Sequence, residues 1–260
     1  MLTALVTGGT SGIGAAFARS LARRGFDLVL VARDEPRLVQ TAHELAAEHG
    51  VHVETLTADL AVREDLLRVA QRLEDTAHPV DMLVNNAGFS VKTRYTDEDT
   101  TQHEAGFEVM CAAVRRLSAA AARAMTVRGS GWIVNVCSVS GLVTMGEYSA
   151  IKAYTTSMTE SLAVELHGTG VQVTALLPGW VRTEFHSRAG ISGSSIPDFM
   201  WLDADRLVEE ALADIARGKV LSVPSLRYKA VVTALRHLPR PTVRWVSRKI
   251  SGVRRHELQA

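Results

Sequence analysis

Thr7-Gly8-Gly9-Thr10-Ser11-Gly12-Ile13-Gly14 is the stretch on which the reading of this chain turns. It follows a short apolar run at residues 4–6 and precedes a segment of helical periodicity at 15–24. Glycine is needed where a backbone takes positive φ or passes close to another group. The free N–H groups and positive end of the following helix suit a pyrophosphate. The spacing, Gly-x-x-x-Gly-x-Gly, differs from the Gly-x-Gly-x-x-Gly dinucleotide fingerprint, so a purely structural tight turn is the competing reading. The position between a first strand and a first helix favours the phosphate cradle.

On either side of this turn the chain alternates. Apolar, β-rich runs at 4–6, 28–31, 51–57, 82–84, 132–136, 171–177 and 220–223 are separated by helical stretches such as 15–24, 37–48 and 64–75. The runs are apolar nearly throughout, as expected of parallel strands covered on both faces. Repeated strand–helix–strand order implies right-handed crossovers and a parallel sheet. The expected fold is therefore α/β, one doubly wound parallel sheet of about seven strands. No Pro/Gly/Ser linker, repeat or low-complexity tract divides the chain. The long irregular stretch at 183–202 reads as a lid or binding loop.

Composition excludes several classes. With 47% hydrophobic and 22% charged residues the chain is an ordinary folded domain and not a disordered one. Its length supports a core without disulfide or metal staples. Cys111 and Cys137 have no metal-ligand or redox spacing, nor have the nine histidines, so no metal is expected. The N-terminus lacks the basic region and apolar run of a signal peptide, and no apolar stretch reaches the length of a membrane span. A reducing, cytoplasmic location is expected. The net charge of +1 hides an asymmetry: residues 226–260 hold nine Lys or Arg against Glu257 alone, which leaves −7 on residues 1–225.

The second strand ends Ala32-Arg33. An acid here would hold a ribose 2′-hydroxyl, whereas a 2′-phosphate calls for Arg. Ala32 leaves the acid position empty, so Arg33 favours NADP(H), the alternative being a cation that merely ends a strand at the surface.

Further along come Asp59-Leu60, Asn85-Asn86-Ala87-Gly88, Ser138, Tyr148-Ser149-Ala150-Ile151-Lys152, and Pro178-Gly179 with Val181 and Thr183. In this order, from Met1 to about Thr183, the series resembles the short-chain dehydrogenase/reductase family. The resemblance implies a Rossmann sheet and an NADP(H)-dependent carbonyl reductase or alcohol dehydrogenase. Gly8, Thr10, Ser11, Gly12, Ile13 and Gly14 would cradle the pyrophosphate. Asp59 and Leu60 would lie at the adenine, and Asn86, Ala87 and Gly88 would form the cofactor floor. Pro178, Gly179, Val181 and Thr183 would face the nicotinamide. Ser138, Tyr148 and Lys152 would be catalytic, the last two also touching the cofactor. It further implies a homodimer or homotetramer, with helices near 105–128 and 148–167 at the interfaces.

The chemistry is reasonable on the residues alone. Positions 148 and 152 lie one helical turn apart and share a face. A phenol with an ordinary pKa of about 10 exchanges protons poorly at neutral pH, and a neighbouring ammonium is expected to lower it. Ser138 at a strand end can hold a substrate oxygen. One residue departs from the pattern: family members carry an asparagine where this chain has Met110, and a thioether cannot replace an amide in a proton relay. Either the relay is rerouted, or the protein is a non-catalytic NADP(H)-binding sensor.

Residues 1–225, including the lid at 183–202, read as the catalytic unit, and 226–260 as a basic amphipathic extension. Phe185, Ile191, Ile196, Phe199, Met200, Trp201 and Leu202 suggest an apolar substrate, or else packing on the core or a neighbouring subunit. His186 among them has no partner and reads as a surface residue. In the extension, Tyr228, Val231, Val232, Leu235 and Leu238 recur at helical spacing between bases. That pattern fits a subunit seam better than a membrane surface, and it equally fits a solvated face. Pro239-Arg240-Pro241 argues against one long membrane helix. No nucleic-acid motif is present, so no nucleic-acid partner is expected.

Overall fold

A computed structural model describes residues 1–184 and 197–257, with side chains to residue 249. All seven apolar runs become strands of one sheet: β1 (Thr3–Thr7), β2 (Asp27–Ala32), β3 (Val53–Thr57), β4 (Met82–Asn85), β5 (Gly131–Val136), β6 (Val171–Leu176), and Leu221–Ser222. The last is β9, because a two-stranded ribbon of β7 (Trp180–Val181) and β8 (Trp201–Leu202) intervenes. Strand order is β3-β2-β1-β4-β5-β6-β9, parallel throughout. Order reverses between β1 and β4, and ligands of open α/β sheets bind in the crevice at such a point.

Alternate residues of β2 show why the strands read as apolar throughout. Leu28 and Leu30 pack with Phe17 and Leu21 of α1 (Gly12–Arg23), Leu38 and Leu45 of α2 (Glu35–His49), and Leu207 of α7 (Ala204–Ala216). Val29 and Val31 face the other way, onto Leu66 and Val69 of α3 (Arg63–Leu73) and Leu117 of α5 (Ala113–Arg128). β3 departs from the expectation: it is an edge strand with no fully buried residue, and its Glu54 accepts from Arg72 at 2.9 Å. A strand paired on one side only is also less covered by helices, so it tolerates charge.

Helix ends follow the sequence. Asp34 caps α2 by accepting from Arg37 N at 3.1 Å, and Gly50 closes it with φ +67. Asp203 caps α7 by accepting from Arg206 N at 2.9 Å. Ser20 of α1 and Arg24, which ends that helix, bind Glu209 of α7 at 2.7 and 2.6 Å, which clamps the two helices together.

A polar seam crosses the core. Asn85 and Asn135 lie opposite each other in the β4–β5 register and both are buried. Asn85 Nδ2 donates to Asn135 Oδ1 at 2.9 Å and to Ser118 Oγ at 3.1 Å. Asn135 Nδ2 donates to Thr159 Oγ1 at 2.9 Å, on α6 (Glu147–Glu165). The seam fixes the rotation of α6 against the sheet. A buried polar group left without its partner costs about 1–3 kcal/mol. Asn135→Leu should therefore lower the melting temperature by roughly 2–12 °C, at roughly 2–4 °C per kcal/mol for a domain of this size. An unchanged melt would mean that the seam contributes nothing.

The basic C-terminal segment forms α8 (Leu226–His237) and α9 (Arg240–Glu257), broken at Leu238-Pro239. Its apolar stripe turns inward: Tyr228, Val232 and Val243 are buried against the domain, and Arg236 pairs with Glu160 of α6 at 3.2 Å. Val231 and Leu235 are half-buried, and Leu238 is exposed. No helix among the described residues is long and apolar enough to cross a membrane.

Candidate active site

The glycine turn lies at the C-terminal end of β1, beside the reversal of strand order. Gly12 has φ +54, and a Cβ there would press on the Thr183 side chain at 3.3 Å. Gly14 is more constrained: a Cβ would lie 2.2 Å from Gly8 O and 2.4 Å from Asn86 Nδ2. Asn86 Nδ2 donates to Thr7 O and Gly8 O at 3.0 and 3.2 Å, so the end of β4 holds the turn in shape. Thr7 Oγ1 accepts from the backbone N–H of Asn86 and of Ala87. Ser11, the N-cap of α1, makes no side-chain cap bond, and no acid stands in the first turn. Small residues, an uncapped helix start and tight backbone packing fit the pyrophosphate of a dinucleotide.

A cleft of about 340 Å³ opens on this turn, lined by Thr10, Ser11, Gly12, Arg37, Thr183 and Glu184 among others. Arg37 was not singled out by the sequence. It stands in the first turn of α2, four residues after Arg33, and donates to both Glu184 carboxylate oxygens at 2.7 and 3.1 Å. Arg33 follows β2 directly, is exposed, and lies 3.7 Å from Asp59 Oδ2. Asp59 Oδ1 accepts from Ala61 N at 3.0 Å, and Leu60 is buried. An exposed guanidinium at this strand end is placed for a phosphate arriving from solvent.

Ser138, Tyr148 and Lys152 are brought together across β5 and α6. Ser138 is buried at the start of a 3₁₀ turn, Val139–Leu142, and its Oγ accepts from Ser140 N at 3.1 Å. Tyr148 and Lys152 occupy the first turns of α6, entered through Gly146 with φ +78. The Ser138 and Tyr148 side chains are hydrogen-bonded. Lys152 is buried, donates to Val136 O at 2.8 Å, and places Nζ 5.7 Å from the Tyr148 ring centre.

The electrostatics correct one expectation. Tyr148 is not lowered towards neutrality: burial pushes its phenol up, and the Ser138 hydrogen bond opposes this only in part. Burial also disfavours the charge on Lys152 and lowers its pKa, so the ammonium cannot act at full strength on the phenol. Desolvation is the largest cause for both groups.

Met110 lies in a five-residue π-helical segment, Glu108–Ala112, joining α4 (Thr101–Phe107) to α5. Such bulges are frequent at functional sites. The side chain is fully buried, with Sδ 3.0 Å from where a Gly88 Cβ would be. Its carbonyl accepts from Thr155 Oγ1 at 2.9 Å. An apolar plug thus stands against Gly88 where the family resemblance leads one to expect an amide.

On the far side, Pro178 O accepts from Val139 N at 3.1 Å, and Val181 is buried. Phe185, His186, Ile191 and Ile196 lie outside the described residues. Of the remaining lid candidates Phe199 is exposed, while Met200, Trp201 and Leu202 are half-buried. Trp201 packs on Trp180, ring centres 6.0 Å apart. Sequence reasoning missed what holds this wall. Tyr228 lies against Gly179, and its hydroxyl accepts from Trp180 N at 2.9 Å and donates to Met200 O at 2.8 Å.

Comparison with known proteins adds an independent line. The family model described as short chain dehydrogenase matches residues 2–190. An uncharacterized oxidoreductase of Staphylococcus saprophyticus is 36% identical over 183 residues, covering 69% of this chain and 78% of that protein. A short-chain dehydrogenase from Sphingobium yanoikuyae, solved in complex with NADPH, is 39% identical with a TM-score of 0.84, covering 90% of this chain and 92% of that one. The bulky-bulky ketone specific alcohol dehydrogenase from Comamonas testosteroni is 30% identical with a TM-score of 0.78, covering 100% of this chain and 94% of that one.

Proposed function

The chain belongs to the short-chain dehydrogenase family, and on that premise we propose that it is an NADPH-dependent oxidoreductase interconverting an apolar ketone or aldehyde and its alcohol. The observation that carries the reading is the meeting of Ser138, Tyr148 and Lys152 at the strand ends beside the Gly8–Gly14 turn. NADPH, when bound, supplies the hydride. The Gly8, Gly12 and Gly14 backbone receives the pyrophosphate, with Thr10, Ser11 and Ile13 completing the turn. Arg33 receives the 2′-phosphate, and Asp59 and Leu60 border the adenine. Asn86, Ala87 and Gly88 form the floor, and Pro178, Gly179, Val181 and Thr183 line the nicotinamide wall.

Tyr148 then gives its proton to the substrate oxygen as that oxygen gains charge, and Ser138 hydrogen-bonds the same atom. A phenol kept protonated by burial suits the donor role, since it arrives loaded at neutral pH. Lys152 packs over the Tyr148 ring and fixes its orientation from Val136 O. The apolar character of the substrate is supported by the half-buried Leu142, Trp180, Met200 and Trp201, which border the Tyr228 cluster beside the site. The alcohol dehydrogenase from Comamonas, whose name specifies bulky-bulky ketones, points the same way.

The test is NADPH oxidation by the purified protein over a panel of bulky ketones, diketones and acyl thioesters. Turnover with at least one is expected, and none at saturating NADPH would overturn the reading. The cofactor choice has its own check. Arg33→Ser removes one charge-assisted contact, worth about 1.5–3 kcal/mol, so KM for NADPH should rise roughly ten- to a hundredfold while KM for NADH stays put. A parallel rise for both cofactors would show that Arg33 is not the 2′-phosphate ligand.

A homodimer or homotetramer is part of the proposal, supported by the exposed ring pair Phe107–Tyr154 on α4 and α6. A reducing cytoplasmic setting is supported by two buried, unpaired thiols. The second reading, a binding-only sensor, rests on Met110 alone.

A further inference from the structure

Two buried hydroxyls of the C-terminal helices reach the two loops that flank the catalytic cluster. The first is Tyr228 of α8. A Cβ on Gly179 would lie 1.9–2.4 Å from its ring atoms, so ring and loop backbone are in direct contact. Its hydroxyl uses both capacities, accepting from Trp180 N at 2.9 Å and donating to Met200 O at 2.8 Å. One oxygen therefore ties the residues after Pro178 to the 3₁₀ turn, Asp198–Met200, that leads into β8. Burial pushes the Tyr228 phenol up, so it keeps the proton that it donates.

The second is Ser247 of α9. It is buried, and its Oγ accepts from Thr144 N at 3.1 Å. Thr144 lies between the Ser138 turn and Gly146, where the chain enters α6 two residues before Tyr148. Both loops are thus pinned from the same pair of helices.

We propose that Tyr228 and Ser247 are positioning residues: α8 and α9 hold the wall at 178–181 and the entry to the Tyr148 helix at the separation that hydride and proton transfer require. This rests on the oxidoreductase reading above. A buried tyrosine that merely filled space would need no two-sided bond to separate loop segments. A serine serving only α9 would not be spent on a loop amide 103 residues away.

The experiment uses the full chain and two mild variants, Tyr228→Phe and Ser247→Ala. Without substrate, hydrogen exchange is compared with and without NADPH. Faster exchange is expected at 178–182 and 199–202 in Tyr228→Phe and at 143–148 in Ser247→Ala. Protection of 178–182 on adding NADPH should be present in the wild type and reduced in Tyr228→Phe. NADPH affinity should change by no more than about twofold, because the phosphate turn is untouched. Hydride transfer in a single turnover should fall about ten- to a hundredfold, the scale of a small misplacement of reacting groups. The isotope effect with NADPH deuterated at the transferred position should rise.

Wild-type exchange and NADPH protection in both variants would overturn the proposal. So would a loss of turnover that Asn135→Leu reproduces at an equal fall in melting temperature with no change in isotope effect. A wild type that turns over no carbonyl would sink the oxidoreductase reading, and the exchange comparison would still decide this one.

Discussion

Tyr148→Phe should lower turnover by about 10²–10⁴, the range lost with a general acid, while NADPH affinity and the KM for the ketone move by only a few fold. The substitution removes one oxygen from a side chain whose ring rests beneath Lys152 Nζ, so packing is preserved. Paired measurements of NADPH oxidation and NADPH binding on wild type and variant check it. Equal turnover would remove Tyr148 from the role of proton donor. Binding by both with turnover by neither would favour the sensor reading and make Met110 the reason. Burial raises the phenol's pKa, so the protonated form dominates through neutral pH. Ketone reduction should accordingly stay flat across neutrality. Alcohol oxidation, which needs the phenolate, should climb as pH rises into the alkaline range.

Gly14→Ala is expected to damage folding and cofactor binding together. The added methyl would meet a backbone carbonyl, Gly8 O, at 2.2 Å, which cannot swing aside, and the Asn86 side-chain amide at 2.4 Å, which is held by its bonds to Thr7 O and Gly8 O. The turn must open, at an overpacking cost of about 1–3 kcal/mol. Losing one charge-assisted contact to the pyrophosphate should weaken NADPH by roughly ten- to a hundredfold. Gly25→Ala is the control: its φ is +78 but nothing lies within 4 Å of an added Cβ. It should lose about 1–2 kcal/mol of stability for the left-handed backbone and bind NADPH normally. Normal NADPH affinity in Gly14→Ala would show that the turn does not cradle the phosphates.

The difference between what was legible in the sequence and what was not follows contact range. Strands and phosphate turn are local patterns, and each of the seven apolar runs found its place in the sheet. β3 was misjudged only in being treated as fully covered, since edge position is a tertiary property. The pairing of Tyr148 with Lys152 could be read from one helical turn. The sign of the phenol's shift could not, because desolvation depends on everything packed around it. Arg37 stood unmarked because its partner Glu184 is 147 residues away. Tyr228 reads as part of an amphipathic stripe, and Ser247 carries no pattern that marks it. Their partners, Trp180 and Thr144, lie 48 and 103 residues earlier. The π-helical segment around Met110 left no mark, as its residues are ordinary helix formers.

The docking of α8 and α9 onto both site loops has a consequence for synthesis. A chain emerges from the ribosome N-terminus first, but a single domain folds as a unit. The residues of the phosphate turn are translated long before 226–249, so the loops at 143–146 and 178–181 wait on α8 and α9 for their partners Ser247 and Tyr228.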